Sequence, residues 1–369
     1  METDRVKKHI IAMAALCACV SAAPSASAQS AITLYGIIDA GLTRLTNDGP
    51  QGDMTKVDTG QMQVSRWGIK GQEDLGGGMK ARFGLEGTLL NDTGGAGVPF
   101  GTPSSTSLFD REATVGIVTN YGAIDIGRQN IVGIMSVGMA DPLGLGFASS
   151  SPNVLFSAMN NAAVYAPYGA NNGGTALRQN NSVKYTSPVF KGLSFALMRA
   201  FGEQAGNAQK SSYQGGALLY NTGKLAVAGA YARMKNITDT DLLTSHAYGI
   251  KYAFPAVTLK STYSWNELRS TGRKIAVLGV GADVPVAPAF LVTAAAYQVK
   301  RSGDLKDDAQ QFILIGRYLM SKRTTGYVSV GHAATDSIVQ TDQINLAQNF
   351  VAVGSDSANR FTMGIMHMF

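Results

Sequence analysis

Cysteine is nearly absent: the 369-residue chain has two, Cys17 and Cys19, both in its first twenty positions. A disulfide-stapled scaffold is excluded for everything downstream of them. Histidine is almost as scarce, at four residues, and no Cys/His cluster has metal-site spacing. Proline is sparse, with 11 residues against 43 glycines, a balance that suits many short strands joined by tight turns. Beyond the N-terminal segment no apolar run approaches the roughly 20 residues of a membrane-spanning helix. Charge of one sign is not in great excess either. The formal net charge is +6, too mild to argue for nucleic acid as a partner.

The N-terminus has the pattern of a targeting segment. Lys7 and Lys8 precede an apolar run from Ile10 to Val20, and small residues follow as far as Ala26-Ser27-Ala28. These are the charged region, apolar region and A-x-A site of a secretory signal peptide. Cleavage is expected after Ala28, leaving 29–369 as one domain. Glu2 and Asp4 are unusual so early in such a segment. Lipidation of Cys19, through Leu16-Cys17-Ala18-Cys19, is the rival reading, and position 17 does not suit it. Removing 1–28 removes both cysteines and leaves a small positive balance.

What fills the rest of the chain is period-two alternation. Ile32, Leu34, Ile38 and Leu42 share one face of a first segment, with Thr33, Tyr35, Asp39 and Thr43 on the other. Met79, Ala81, Phe83 and Leu85 oppose Lys80, Arg82, Gly84 and Glu86. At the C-terminus, Phe361, Met363, Ile365, His367 and Phe369 alternate with Arg360, Thr362, Gly364, Met366 and Met368. Comparable runs between these bring the count to about 16 strands. The connections alternate in length. Glu73–Gly78, Asn120–Gly122, Pro188–Lys191 and Ser321–Thr324 are short, whereas 45–61, 91–108, 129–179 and 336–358 are long. Even strand number, apolar-out and polar-in faces, and short turns opposite long loops describe a transmembrane β-barrel. Closure gives every backbone polar group a partner in lipid, and the polar inward set predicts a wet lumen.

Four segments then carry a family resemblance: Ile32–Gly41 (ITLYGIIDAG), Ser65–Gly78 (SRWGIKGQEDLGGG), Leu108–Gln129 (LFDREATVGIVTNYGAIDIGRQ) and Asn180–Gly192 (NNSVKYTSPVFKG). With the closing Gly364–Phe369 (GIMHMF), they resemble the general porins of Gram-negative bacteria, particularly the β-proteobacterial branch. The resemblance spans the whole mature chain. It implies an all-β, 16-stranded antiparallel barrel in the outer membrane, a homotrimer passing small hydrophilic solutes by diffusion. It also implies lipopolysaccharide and other outer-membrane lipid as surroundings, and Phe369 as the signal read by the outer-membrane assembly machinery. The third external loop, here about Asn130 to Leu177, would fold into the lumen. Its apolar residues, among them Leu143, Leu145, Phe147 and Tyr165, fit such packing.

In this family, arginines on the barrel wall face acids on the loop. Arg66, Arg111 and Arg178 stand in matching contexts, and alternation adds Arg82 to the inward set. A lone arginine reads as a solvated surface charge; four on neighbouring strands read as a basic ladder. Asp39 and Asp141 are the candidate acids of the pore. Asp141 is the only ionisable acid or base between Asn130 and Leu177, so the ladder would attract anions. Ile37 stands where some enterobacterial porins carry a lysine.

Other chemistries fit less well. His246, His332 and His367 each lie in a strand run, and no G-x-S-x-G element surrounds a serine, so a barrel enzyme lacks its catalytic set. A plugged adhesion barrel should carry bulky apolar residues inward. Gly71 and Gly76–Gly78 lack the lysine and following helix of a phosphate loop. Asp304, Asp307 and Asp308 read as an ordinary loop before a calcium site. No cofactor is expected.

Overall fold

The computed structural model describes residues 31–47, 52–96, 107–146, 151–153, 168, 177–303, 307–336 and 355–369. The expected signal peptide, and most of the segment 147–176, lie outside the described residues.

The strands form one antiparallel sheet that closes on itself. β1 (Ala31–Asn47) pairs with the last strand, β18 (Ser357–Met368), from Ile37↔Met368 to Asn47↔Ala358. Its other edge is shared by β2 (Met54–Thr59) above and β3 (Arg66–Gly76) below. β2 and β3 therefore act as one wall strand interrupted at 60–65. Alternation alone places 45–61 in a loop; Met54–Thr59 is instead strand. The two-residue β5 (Gly95–Ala96) only extends β4 (Met79–Leu90). Counted as wall, the barrel has 16 strands. They continue as β6 (Glu112–Thr119), β7 (Gly122–Asn130), β8 (Arg178–Thr186), β9 (Leu193–Ala200) and β10 (Tyr213–Asn221). Then come β11 (Leu225–Lys235), β12 (Leu242–Ala253), β13 (Thr258–Leu268), β14 (Lys274–Ala287), β15 (Phe290–Ser302), β16 (Asp307–Leu319) and β17 (Thr324–Thr335).

Burial follows the sequence alternation. Ile32, Leu34, Ile38 and Leu42 are exposed on the outer face, while Asp39 and Thr43 between them are buried. Phe361, Met363 and Ile365 are likewise exposed against buried Arg360 and Thr362. An apolar outer face is what a hydrocarbon surround requires. Backbone groups that would be left at open edges find partners in the seam, where Gly36 and Phe369 exchange both N–H···O bonds at 3.1 Å. Short turns such as Tyr121 and 222–224 mark one end of the barrel as periplasmic, and the longer connections mark the external end.

The inward face is not uniformly polar, although alternation alone implies that it is. Met234, Leu243, Leu268, Ile275, Val277 and Val299 are buried within one inner cluster. The part of this cluster on β10 to β13 is covered by the helix α1 (Val132–Ala140, VGIMSVGMA), which packs on those strands. Nine residues with no charged side chain and no side-chain cap have little helical stability of their own; packing supplies it. Inward glycines make room. A Cβ at Gly249 would lie 2.6 Å from the Ser136 carbonyl, and one at Gly215 2.8 Å from a Val132 methyl.

The seam has a similar notch. A Cβ on Gly36 would stand 2.3 Å from the Phe369 ring and 2.7 Å from the Arg66 carbonyl. Gly36→Val is expected to destabilise the closed barrel by about 1–3 kcal/mol. Heat-modifiable mobility on electrophoresis should then be lost at a lower temperature than in the parent; an unchanged midpoint would show that closure does not depend on this notch.

Candidate pore constriction

Two carboxylates shape the interior, and neither faces open water. Asp39 points inward from β1, as alternation implies, but is 0% exposed. It accepts hydrogen bonds from the Tyr327 hydroxyl at 2.7 Å and from the Met62 and Gln63 amides at 2.6 and 2.8 Å. It thereby holds the interruption between β2 and β3 against the inner wall. Asp141, at the C-terminal end of α1, is 1% exposed. Its carboxylate accepts from Asn153 Nδ2 at 2.7 Å, Ser151 Oγ at 2.8 Å, the Leu145 amide at 2.8 Å and the Tyr297 hydroxyl at 3.2 Å. The expectation that these two acids line the pore is corrected: both are consumed in fastening backbone.

The two fastened segments touch. Gln63 Nε2 donates to the Gly144 carbonyl at 3.3 Å. From below, Lys260 donates to the Pro142 carbonyl at 3.3 Å and pairs with Asp283 at 2.6 Å, and Arg317 joins the same carboxylate at 3.2 Å. Further along the loop, the Tyr168 hydroxyl donates to Asp241 at 2.9 Å outside the wall strands. Burial and that carboxylate push the tyrosine hydroxyl above its ordinary range. Burial opposes ionisation of Asp241 as well. Hydrogen bonds from Ser270, the Leu242 amide and Tyr168 outweigh it and hold the carboxyl below its usual value.

Across from α1 stands the charged wall, β3 to β8. Register places Arg66, Glu86 and Glu112 on inward positions, with Lys70, Arg82, Asp125 and Lys184 two or more residues closer to the periplasmic end. In the upper group Glu86 serves two guanidiniums. Arg111 Nε lies 2.6 Å from one carboxylate oxygen and Arg66 Nε 3.5 Å from the other, which also accepts from the Tyr35 hydroxyl at 3.1 Å. In the lower group Arg82 Nε donates to Asp125 at 2.7 Å. A cavity of about 1070 Å³ runs along this lower wall, bounded by Lys70, Arg82, Glu112 and Lys184 on one side and Ile134 and Met135 of α1 on the other.

Of the four arginines predicted from sequence, Arg66 and Arg111 come together around Glu86. Arg82 stands lower and is paired. Arg178, the first residue of β8, is 4% exposed, so it lies behind the surface that water meets. One arginine was missed. Arg128 opposes Ala113, an outward position, but the register shifts between Gly127 and Gln129. The shift turns its side chain to the Asp110 carbonyl and Asn180 Oδ1, each at 2.6 Å. Gly127, at φ 128° and with no room for a Cβ beside the Ala113 carbonyl, is the only trace of that bulge in the sequence. Glu86, Asp110 and Asp125 were also not singled out as site residues, although alternation had put Glu86 inward. Phe369 sits in the seam, and its side chain faces outward with Ile365.

The family model described as Gram-negative porin matches residues 12–337. Outer membrane porin protein 32 of Delftia acidovorans is 29% identical, over 99% of this chain and 100% of its own length. Major outer membrane protein P.IB of Neisseria meningitidis serogroup B is 27% identical, over 88% of this chain and 93% of its own. Among solved structures, the anion-selective porin from Comamonas acidovorans has a TM-score of 0.77 at 24% identity, covering 92% of this chain and 100% of that one. The outer membrane channel DcaP of Acinetobacter baumannii reaches 0.62 at 12% identity, covering 92% and 97%. At these identities the two structures speak for the fold.

The Asp141 hub makes a clear demand. Asp141→Ala leaves buried donors on Asn153, Ser151, Leu145 and Tyr297 without their acceptor, at about 1–3 kcal/mol for each unsatisfied group. Limited proteolysis of the refolded variant should cut within 131–153 under conditions that leave the parent intact. Equal resistance would mean that packing of α1 alone holds the loop.

Proposed function

Because the chain belongs to the Gram-negative porin family, we propose that its channel prefers anions and that the wall from β3 to β8 selects them. The protein is an outer-membrane β-barrel porin, and small hydrophilic solutes cross it by passive diffusion. The observation that carries the anion reading is the convergence of Arg66 and Arg111 on the single carboxylate of Glu86. Glu86 bonds two positive charges, while Glu112, opposite it in the register, accepts from Thr114, and Arg128 donates to a carbonyl and an amide oxygen. Facing them, α1 bears no charge, and Asp141 is turned away into its own hydrogen bonds. Guanidiniums stay charged when crowded, so the net field across the narrow part of the lumen favours anions.

Several further readings belong to the same proposal. Cleavage after Ala28 would release the chain for assembly as a homotrimer. Phe369 would be the residue that the outer-membrane assembly machinery reads, and lipopolysaccharide would surround the external half of the barrel. Catalysis has no place in this scheme. The outward positions of His246, His332 and His367 support that, since each lies on the outer face and away from the lumen.

Planar-bilayer recordings under a KCl gradient test the selectivity. The parent should give a chloride-favouring reversal potential that weakens with rising salt, as the Debye length falls from about 10 Å at 0.1 M. Arg66→Gln with Arg111→Gln leaves Glu86 unpaired and should bring selectivity to neutral or beyond, with conductance retained. A conducting double variant with unchanged selectivity would sink the assignment of these two arginines.

A further inference from the structure

The outer face of the barrel carries a row of polar side chains that a lipid-facing surface does not need. Strand register aligns Arg199 of β9 with Gln214 of β10, and Gln214 with Arg233 of β11. The inward neighbours Met198, Ala200, Ala232 and Met234 are all buried, so Arg199 and Arg233 point outward. The row lies near the external end, just below the connections 201–212 and 236–241. One step toward the periplasm, Leu197 and Tyr231 are exposed, with Gly216 between them in the register. The site is therefore a basic edge above an apolar floor.

Its two guanidiniums are not answered by acid. Arg233 donates through Nε and Nη2 to Gln214 Oε1 at 3.0 and 2.6 Å. Arg199 donates to the Ala208 carbonyl at 3.1 Å and sits over the Phe201 ring at 5.8 Å. Neither makes an ion pair among the described residues. Two strand spacings separate their backbones by roughly 10 Å, and both side chains lie on the same face of the sheet. The acid in the same row, Glu267, is two strands beyond Arg233, across Thr244. Elsewhere on the outer face the pattern differs. Arg44 of β1 is paired with Asp53 at 2.6 Å, and the outward positions Trp67, Leu85 and Ala113 are uncharged.

We propose that Arg199 and Arg233 form a binding site for the phosphate groups of lipopolysaccharide in the outer leaflet, with its acyl chains lying over Leu197, Gly216 and Leu218. A bound phosphate supplies the negative charge that this pair lacks, through charge-assisted hydrogen bonds to planar forks suited to phosphate oxygens. The site rests on the outer-membrane location of the barrel and is independent of the selectivity of its lumen.

Bisphosphorylated lipid A and its dephosphorylated form, titrated against the detergent-purified, refolded protein, test the site by native mass spectrometry. The parent should bind the phosphorylated form about tenfold more tightly, the effect of a single good charge-assisted contact; equal binding of the two forms overturns the proposal without recourse to a variant. Arg199→Gln with Arg233→Gln should abolish the difference. Lys191→Gln with Arg323→Gln removes the same charge at the periplasmic turns and should leave it intact. Equal losses in the two double variants would assign the effect to net charge and overturn the site. Single-channel conductance, measured in parallel, should be unchanged in both variants, which separates failure of this site from failure of the channel itself.

Discussion

A peptide group in hydrocarbon has no water to bond to, and each unpaired one costs several kcal/mol. The whole architecture follows from that. The sheet closes because an edge in lipid is not tolerated. Closure fixes which residues face out and which face in. Two strands, β2 and β3, share the free edge of β1, and at the break between them the Asp39 amide donates to Ser65 Oγ while its carbonyl accepts from the Gly60 amide. Where the chain leaves the wall, a carboxylate receives the stranded amides: Asp39 takes those of Met62 and Gln63, and Asp141 that of Leu145.

The interior is consequently divided. One side of the inner surface, at β10 to β13, is covered by the uncharged α1; the facing side, β3 to β8, is charged and borders the remaining space. The functional side chains belong to the second side, but their placement depends on the first. The helix is held by packing on β10 to β13, and the Asp141 hub binds its C-terminal end to Tyr297 of β15. The segment held by Asp39 meets the same loop through Gln63 and Gly144. The lumen is what remains between these buttresses and the basic wall.

The outer surface was legible in the sequence because lipid imposes one rule at every strand. Ile32, Leu34 and Ile38, or Phe361, Met363 and Ile365, need no knowledge of a partner to be placed. The inside was less so. Met234 and Leu243 lie on the strands that α1 covers, and α1 is about a hundred residues away in sequence. Asp141 looked like a pore acid because its acceptors' partners, Ser151, Asn153 and Tyr297, are assembled only by folding. Arg128 was out of phase until one bulge at Gly127 turned it. Arg66 and Arg111 were legible from motif context; Glu86, which binds both, gave only the alternation.

The seam between β1 and β18 joins residues far apart along the chain, such as Thr43 and Thr362, whose hydroxyls meet at 2.9 Å across 319 positions. Hairpins elsewhere in the wall can form from neighbours within a few tens of residues. The seam cannot, and contacts of such separation are slow to form because the entropy of bringing the ends together precedes any gain. Until it forms, the growing sheet has two unpaired margins, each able to add a strand from another chain. Time spent with those margins open, rather than the stability of any hairpin, governs how much of the protein is lost to misassembly before the cylinder is complete.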